Sequence, residues 1–92
     1  MQLTRHYKIH GKVQDVYFRD FTQQQAKLLR LVGWVRNCRD GTVESIATGS
    51  EEAHQAFILK LQQGPTRARV EWVDTENIAP QAFTEFIIAA SI

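Results

Sequence analysis

Cysteine is almost missing from this chain. Cys38 stands alone, so no intrachain disulfide can form, and a reducing, cytoplasmic setting is the natural reading. Long apolar runs are missing too. Nothing approaches the roughly 20 residues that cross a bilayer, and Met1–His6 lacks the apolar segment of a signal peptide, so no membrane partner is expected. No sign of charge dominates: 11 basic and 10 acidic side chains leave +1, too weak a field to select a polyanion, and no nucleic-acid partner is implied. His6, His10 and His54 are scattered without ligand spacing, so neither a metal nor another cofactor is suggested. Repeats, linkers and low-complexity segments are absent. Ninety-two residues suffice for one modest core and not for two, so residues 1–92 read as a single domain, expected to act as a monomer.

Periodicity supplies the elements. Arg5, Tyr7 and Ile9 alternate with Thr4, His6, Lys8 and His10, a half-buried strand ending at Gly11. Phe18, Thr22, Ala26 and Leu29 then share one face of a helix predicted from Phe18 to Leu31, with Gln23, Gln24 and Lys27 opposite. Trp34 to Asn37 forms a short strand, and Asp40-Gly41 turns it back into a strand over Thr42–Thr48. Ser50 caps a second helix that opens with Glu51 and Glu52, buries Ala53, Phe57 and Leu61, and stops at Gly64-Pro65. Ala68, Val70 and Trp72 alternate with Arg67, Arg69 and Glu71 in a further strand, and Phe86 with Ile88 suggests a short last one.

This order, βαββαβ plus a C-terminal strand, predicts an α+β two-layer sandwich of the ferredoxin-like kind. Its mostly antiparallel sheet carries both helices on one face. In such a split βαβ the first two strands run parallel with the third between them. A helix from Phe18 to Leu31 descends roughly 20 Å, and a strand from Gly33 to Asn37 climbs back about 17 Å. Asn37 should therefore return to the sheet end that carries the loop after the first strand.

That loop, Gly11-Lys12-Val13-Gln14-Asp15-Val16-Tyr17-Phe18-Arg19, is the most informative segment. It leads directly into a helix with an arginine at its mouth. Unpaired N–H groups and partial positive charge already gather there, so a cation is mildly unfavourable unless an anion joins it. A guanidinium beside a helix mouth suits a phosphate or a carboxylate. Taken singly, the other residues have plain readings. Gly33 and Gly41 punctuate turns, Asn37 suits the residue before a hairpin, and Trp34, Phe18 and Phe57 suit a core. Arg36, Arg39, Arg67 and Arg69 read as solvated surface, the first two nearest the proposed site.

Together these residues resemble the acylphosphatase family. Its first signature is Gly-x-Val-Gln-Gly-Val-x-Phe-Arg, which residues 11–19 follow except at Asp15. Its second is Gly-aromatic-small-basic-Asn, three residues, Gly-x-Val, five residues, Gly. Gly33-Trp34-Val35-Arg36-Asn37 with Gly41, Val43 and Gly49 match it throughout. The resemblance implies the ferredoxin-like fold and hydrolysis of acyl phosphates to a carboxylate and inorganic phosphate. By motif position it implies a phosphate-binding loop of Gln14, Asp15, Val16, Tyr17, Phe18 and Arg19. Arg19 would hold the phosphoryl group and Asn37 would position the attacking water. The chemistry is coherent. A carboxylate leaving group needs little protonation, so the protein must chiefly hold oxygens, stabilise charge and aim a water in line. Consecutive loop amides suit phosphoryl oxygens, and a carboxamide can orient a water without being a strong base. No covalent step is needed, and Cys38 beside Asn37 has no recognisable activating base.

Two positions depart from the pattern. Asp15 replaces a glycine in the middle of the loop. Aspartate tolerates the left-handed region, but its charge repels a unit anion ~4 Å away by about 1 kcal/mol in water and about 4 at an effective dielectric of 20. Asp15 could also pair with Arg19. Weakened phosphate binding on an intact fold follows. The alternative function is an acylphosphatase-like binding or regulatory domain with impaired or no turnover. Arg30 stands where relatives often carry glycine near the helix end, which concerns stability only. An RNA-recognition module shares the element order but displays aromatics on its central strands. Thr42–Thr48 has none.

Overall fold

The computed structural model describes residues 2–92. Seven elements follow in the order β1 (Leu3–Lys12), α1 (Phe18–Leu28), β2 (Val32–Asn37), β3 (Val43–Gly49), α2 (Glu51–Gln63), β4 (Arg69–Ile78) and β5 (Phe86–Ile88). The sheet order is β4-β1-β3-β2-β5. β3 is antiparallel to β1 and to β2, β4 is antiparallel to β1, and β5 is parallel to β2. This is the predicted two-layer α+β sandwich, with β3 between two parallel strands. The register puts Ile9 and Asn37 both opposite Val43, and Lys12 opposite Arg69. One end of the sheet therefore collects the ends of β1 and β2 and the start of β4. No helix among the described residues is long and apolar enough to cross a membrane.

The core forms where the inward phases of the strands meet the apolar stripes of the helices. Tyr7, Ile9, Val35, Val43 and Ala47 from the sheet pack with Phe18 and Ala26 of α1, Phe57 and Leu61 of α2, and Phe86 of β5. Each large apolar side chain buried this way contributes about 1.5–3 kcal/mol. Phe57 sits at the centre, edge-on to Tyr7 at 5.2 Å and to Phe86 at 6.3 Å between ring centroids. The Ser50 Oγ accepts from the Ala53 amide at 3.0 Å, which is the predicted cap of α2.

Two sequence expectations need correction. The helix predicted to reach Leu31 stops at Leu28. Arg30 turns left-handed, with φ 60°, and the Leu31 and Arg30 amides donate to the Ala26 and Lys27 carbonyls at 2.9 and 3.1 Å. That double bond pattern closes the helix, at a cost of roughly 1 kcal/mol for a residue other than glycine. Trp72 does not share a face with Val70. A bulge between His10 and Gly11 places Trp72 opposite His10 and Val70 opposite Gly11, so Glu71 is extra and the alternation changes phase. Val70 and Val73 face the core, whereas Trp72 lies exposed and stacks on His10 at 4.2 Å. Gly11 makes the bulge possible: at φ +127° a Cβ would fall 2.1 Å from the Arg69 carbonyl oxygen.

The core also holds a tautomer-locked pair. The His54 Nε2–H donates to the Leu3 carbonyl at 2.9 Å, which leaves Nδ1 to accept from the Tyr7 hydroxyl at 2.6 Å. Both side chains are fully buried. Burial holds the His54 imidazole below its usual value of 6.5, against the opposing effect of the Leu3 carbonyl, and pushes the Tyr7 phenol up to about 12 from 10.0. The signs follow from linkage. Below pH 6.5 the unfolded chain takes up a proton that folded His54 refuses, so stability falls as pH falls. Between pH 10.0 and about 12 the unfolded tyrosine loses a proton that the folded one keeps, so stability falls as pH rises. Melting temperatures measured across acid pH should rise towards neutrality, and His54→Phe should flatten that limb. An unchanged slope in the variant would remove His54 as its source.

Candidate active site

The loop that leaves β1 is shaped by alternating handedness. Asp15 and Tyr17 adopt left-handed φ of 62° and 64°, with Val16 between them. Such alternation turns successive amides towards one concavity. Neither residue is glycine, so each stores of order 1–3 kcal/mol of backbone strain, the kind found at ligand sites. Val16, with its side chain buried, anchors the curl. Tyr17 is the N-cap of α1 and gives no side-chain cap to the helix amides. The helix mouth is therefore left for another acceptor.

Gln14 secures this loop to the second motif. Its Nε2 donates to the Cys38 carbonyl at 2.8 Å and to the Thr42 carbonyl at 2.9 Å, spending both donors on the β2–β3 hairpin. The hairpin is itself pinned: Asp40 Oδ1 accepts from the Thr42 amide at 3.0 Å and from its hydroxyl at 2.6 Å. These bonds, with that to Lys8, hold the Asp40 carboxyl well below the usual range. Hydrogen bonds thus tie the loop at the end of β1 to the end of β2.

Between them lies a cleft of about 470 Å³, lined by Val13, Asp15, Tyr17, Phe18, Arg19, Asp20, Asn37, Arg67 and Ile88. Arg19 and Asn37, read from separate motifs, share it. Of the six predicted loop residues, Asp15, Tyr17, Phe18 and Arg19 line the cleft, while the Gln14 side chain serves as the tie and Val16 as the anchor. The ion pairs among the described residues join Glu44 to His6 and Arg36, Lys8 to Asp40, and His10 to Asp74. Arg19 belongs to none of them, so the pairing with Asp15 that the sequence left open does not form.

Asn37 carries the clearest chemical signal. Its Oδ1 is buried and has no hydrogen-bond partner, the one such side-chain atom among the described residues. Leaving a buried acceptor unpaired costs about 1–3 kcal/mol. Its neighbour Cys38 is buried, and burial pushes its thiol up, away from the thiolate that nucleophilic attack requires.

Sequence reasoning misplaced the arginines. Arg36 and Arg39, expected nearest the site, line a different depression with Lys8, Cys38, Asp40, Glu44 and Ile92. Arg36 also lies over the Trp34 ring at 4.5 Å and bonds Glu44 at 2.8 Å. Arg67 is solvent-exposed, as read, and it also lines the cleft. Asp20 and Ile88 were missed as well. No local pattern marks Arg67 or Ile88, because pairing of β4 with β1 and of β5 with β2 brings them to this end of the sheet, whereas Asp20 directly follows Arg19 in the first turn of α1.

The family model for Acylphosphatase matches residues 5–88. An acylphosphatase of Acidovorax sp. is 50% identical over 72 residues, covering 78% of this chain and 74% of the relative. One of Pseudomonas paraeruginosa is 43% identical over 83 residues, covering 90% and 91%. The solved structure of an acylphosphatase from Coxiella burnetii superposes with a TM-score of 0.93 at 33% identity, covering 96% of this chain and 93% of that one. On sequence and fold together, this chain belongs to the acylphosphatase family, enzymes that hydrolyse acyl phosphates.

Proposed function

We propose that hydrolysis proceeds by in-line attack of a water on a phosphoryl group held in the loop from Gln14 to Arg19. In this reading the curled loop amides and the uncapped mouth of α1 take the phosphoryl oxygens, and the Arg19 guanidinium adds a permanent, planar positive charge. Asn37 orients the water through its carboxamide. The observation that carries the reading is the unpartnered, buried Asn37 Oδ1 on the same cleft as Arg19. That acceptor accords with a water waiting beside phosphorus. The carboxylate leaves without needing a strong acid. The partner is a small acyl phosphate and the product inorganic phosphate, with no part for nucleic acid, a membrane or a second copy of the chain. The lone, buried cysteine accords with work in the cytoplasm.

Release of inorganic phosphate from acetyl phosphate tests this proposal, and Asp15 sets its scale. Its carboxylate is exposed and lines the cleft, so it repels the incoming phosphate through water rather than through protein. Asp15→Gly is expected to lower KM and the inhibition constant of phosphate by about fivefold. It should also relieve left-handed strain, leaving the melting temperature equal or higher. The same carboxylate favours the second reading, a family scaffold whose turnover is largely lost. Activity that is absent in the parent and restored by Asp15→Gly would select that second reading. Equal constants in the two proteins would remove Asp15 from the energetics.

A further inference from the structure

We propose that Arg67 meets the departing carboxylate, a role separate from those of Arg19 and Asn37. The inference rests on the in-line hydrolysis reading above. Arg67 belongs to the connection between α2 and β4, far from both motifs in sequence. The backbone around it is nevertheless held from both sides. The Ala68 amide donates to the Pro65 carbonyl at 3.0 Å, which closes the connection into a turn. Gly64, at φ +67°, brings this turn against Phe18, where a Cβ would lie 3.1 Å from the ring. Downstream, Arg69 pairs with Lys12 at the base of the loop. The connection is thus seated on the residue beside Arg19, and Arg67 enters the cleft with no ion-pair partner among the described residues.

Sheet order gives the direction of its action. Asn37 ends β2 and Arg67 leads into β4, with β1 and β3 between them. Three inter-strand spacings separate those strands, about 14 Å, and the loop rises from β1 within that interval. In-line displacement requires the entering water and the leaving oxygen on opposite sides of phosphorus. A water held by Asn37 enters from the β2 flank, so the acyl oxygen departs towards the β4 flank. The water oxygen bonds to phosphorus and the bond from phosphorus to the acyl oxygen breaks. Its electron pair stays on the carboxylate, and the proton lost by the water goes to solvent.

Negative charge then grows on the carboxylate. Of the ionic groups lining the cleft, Asp15 and Asp20 repel that charge, and Arg19 is occupied by phosphoryl oxygens. Arg67 is the remaining cation.

The test is a leaving-group series. Acetyl, 4-methoxybenzoyl, benzoyl and 4-nitrobenzoyl phosphates are compared as substrates of the parent, Arg67→Gln and Arg67→Lys, and log kcat is plotted against the acidity of the released acid. With the guanidinium gone, the poorest leaving group should suffer most. Arg67→Gln is expected to lose about tenfold on acetyl phosphate and about twofold on 4-nitrobenzoyl phosphate, a steeper plot than the parent's. Arg67→Lys keeps the charge and should recover much of the parent slope. A uniform loss across the series, no loss, or a lysine variant as steep as the glutamine one overturns the proposal. A purely structural role would lower all four rates together. The hydrolysis reading fails differently: its failure is a parent that turns over none of the four, which overturns both.

Discussion

Arg19→Ala is expected to lower kcat/KM for acetyl phosphate by about a thousandfold, roughly 4 kcal/mol of transition-state stabilisation. The fold should be untouched, because Arg19 is partly exposed and takes part in no ion pair within the described residues. It sits in the first turn of α1, where a cation opposes the helix dipole, so its removal should leave the melting temperature unchanged or slightly raised. Phosphate inhibition should weaken in parallel, since a guanidinium in the proposed role grips the same oxygens in product and substrate. Arg19→Lys should recover only part of the loss, because an ammonium keeps the charge and loses the two-pronged geometry. A loss below tenfold in Arg19→Ala, with the far-ultraviolet circular dichroism intact, would mean that the phosphoryl group binds elsewhere.

For Asn37→Ala the expected loss is of similar size but falls on a different constant. Orienting a water matters only as the reaction proceeds, so kcat should fall by about a hundredfold to a thousandfold while KM and phosphate inhibition stay within about twofold. Stability supplies an independent check. The Asn37 Oδ1 is buried without a partner, and its removal takes away a desolvation cost instead of a bond. The variant should therefore melt at or above the parent temperature. Strain at Asp15 and Tyr17 and an unsatisfied oxygen at Asn37 are what the proposed site would show if it exchanges stability for function. If KM rose as much as kcat fell, Asn37 would be a binding group for the phosphoryl moiety and not a guide for water.

Much of the fold could be read along the chain because its signals are local. The alternation through Tyr7 and Ile9, the stripe of Phe18, Thr22 and Ala26, and the Ser50 cap each act within a few residues, and each recurs in the structure. Errors arose where a distant strand decided the outcome. Trp72 obeys a period of two up to the bulge, and the bulge exists because Gly11 of β1 lets the Arg69 backbone approach closely. Nothing in the stretch from Arg67 to Trp72 announces that. Arg67 reaches the cleft for the same reason, through pairing of β4 with β1, whereas Arg36 follows a local rule. Arg36 adjoins Asn37 in sequence, yet successive residues of a strand point to opposite faces, which turns Arg36 away towards Glu44.

By itself the sequence determined the element order, the two-layer class and the pairing of one arginine with one asparagine as candidates, since spacing and residue type depend only on neighbours along the chain. Tertiary structure decided which charges share a cleft, that Arg19 stays clear of Asp15, that Gln14 ties the motifs together and that the Asn37 oxygen is left without a partner. Those outcomes depend on strand order and register. Register is set by every pairing in the sheet at once, so no single segment contains it.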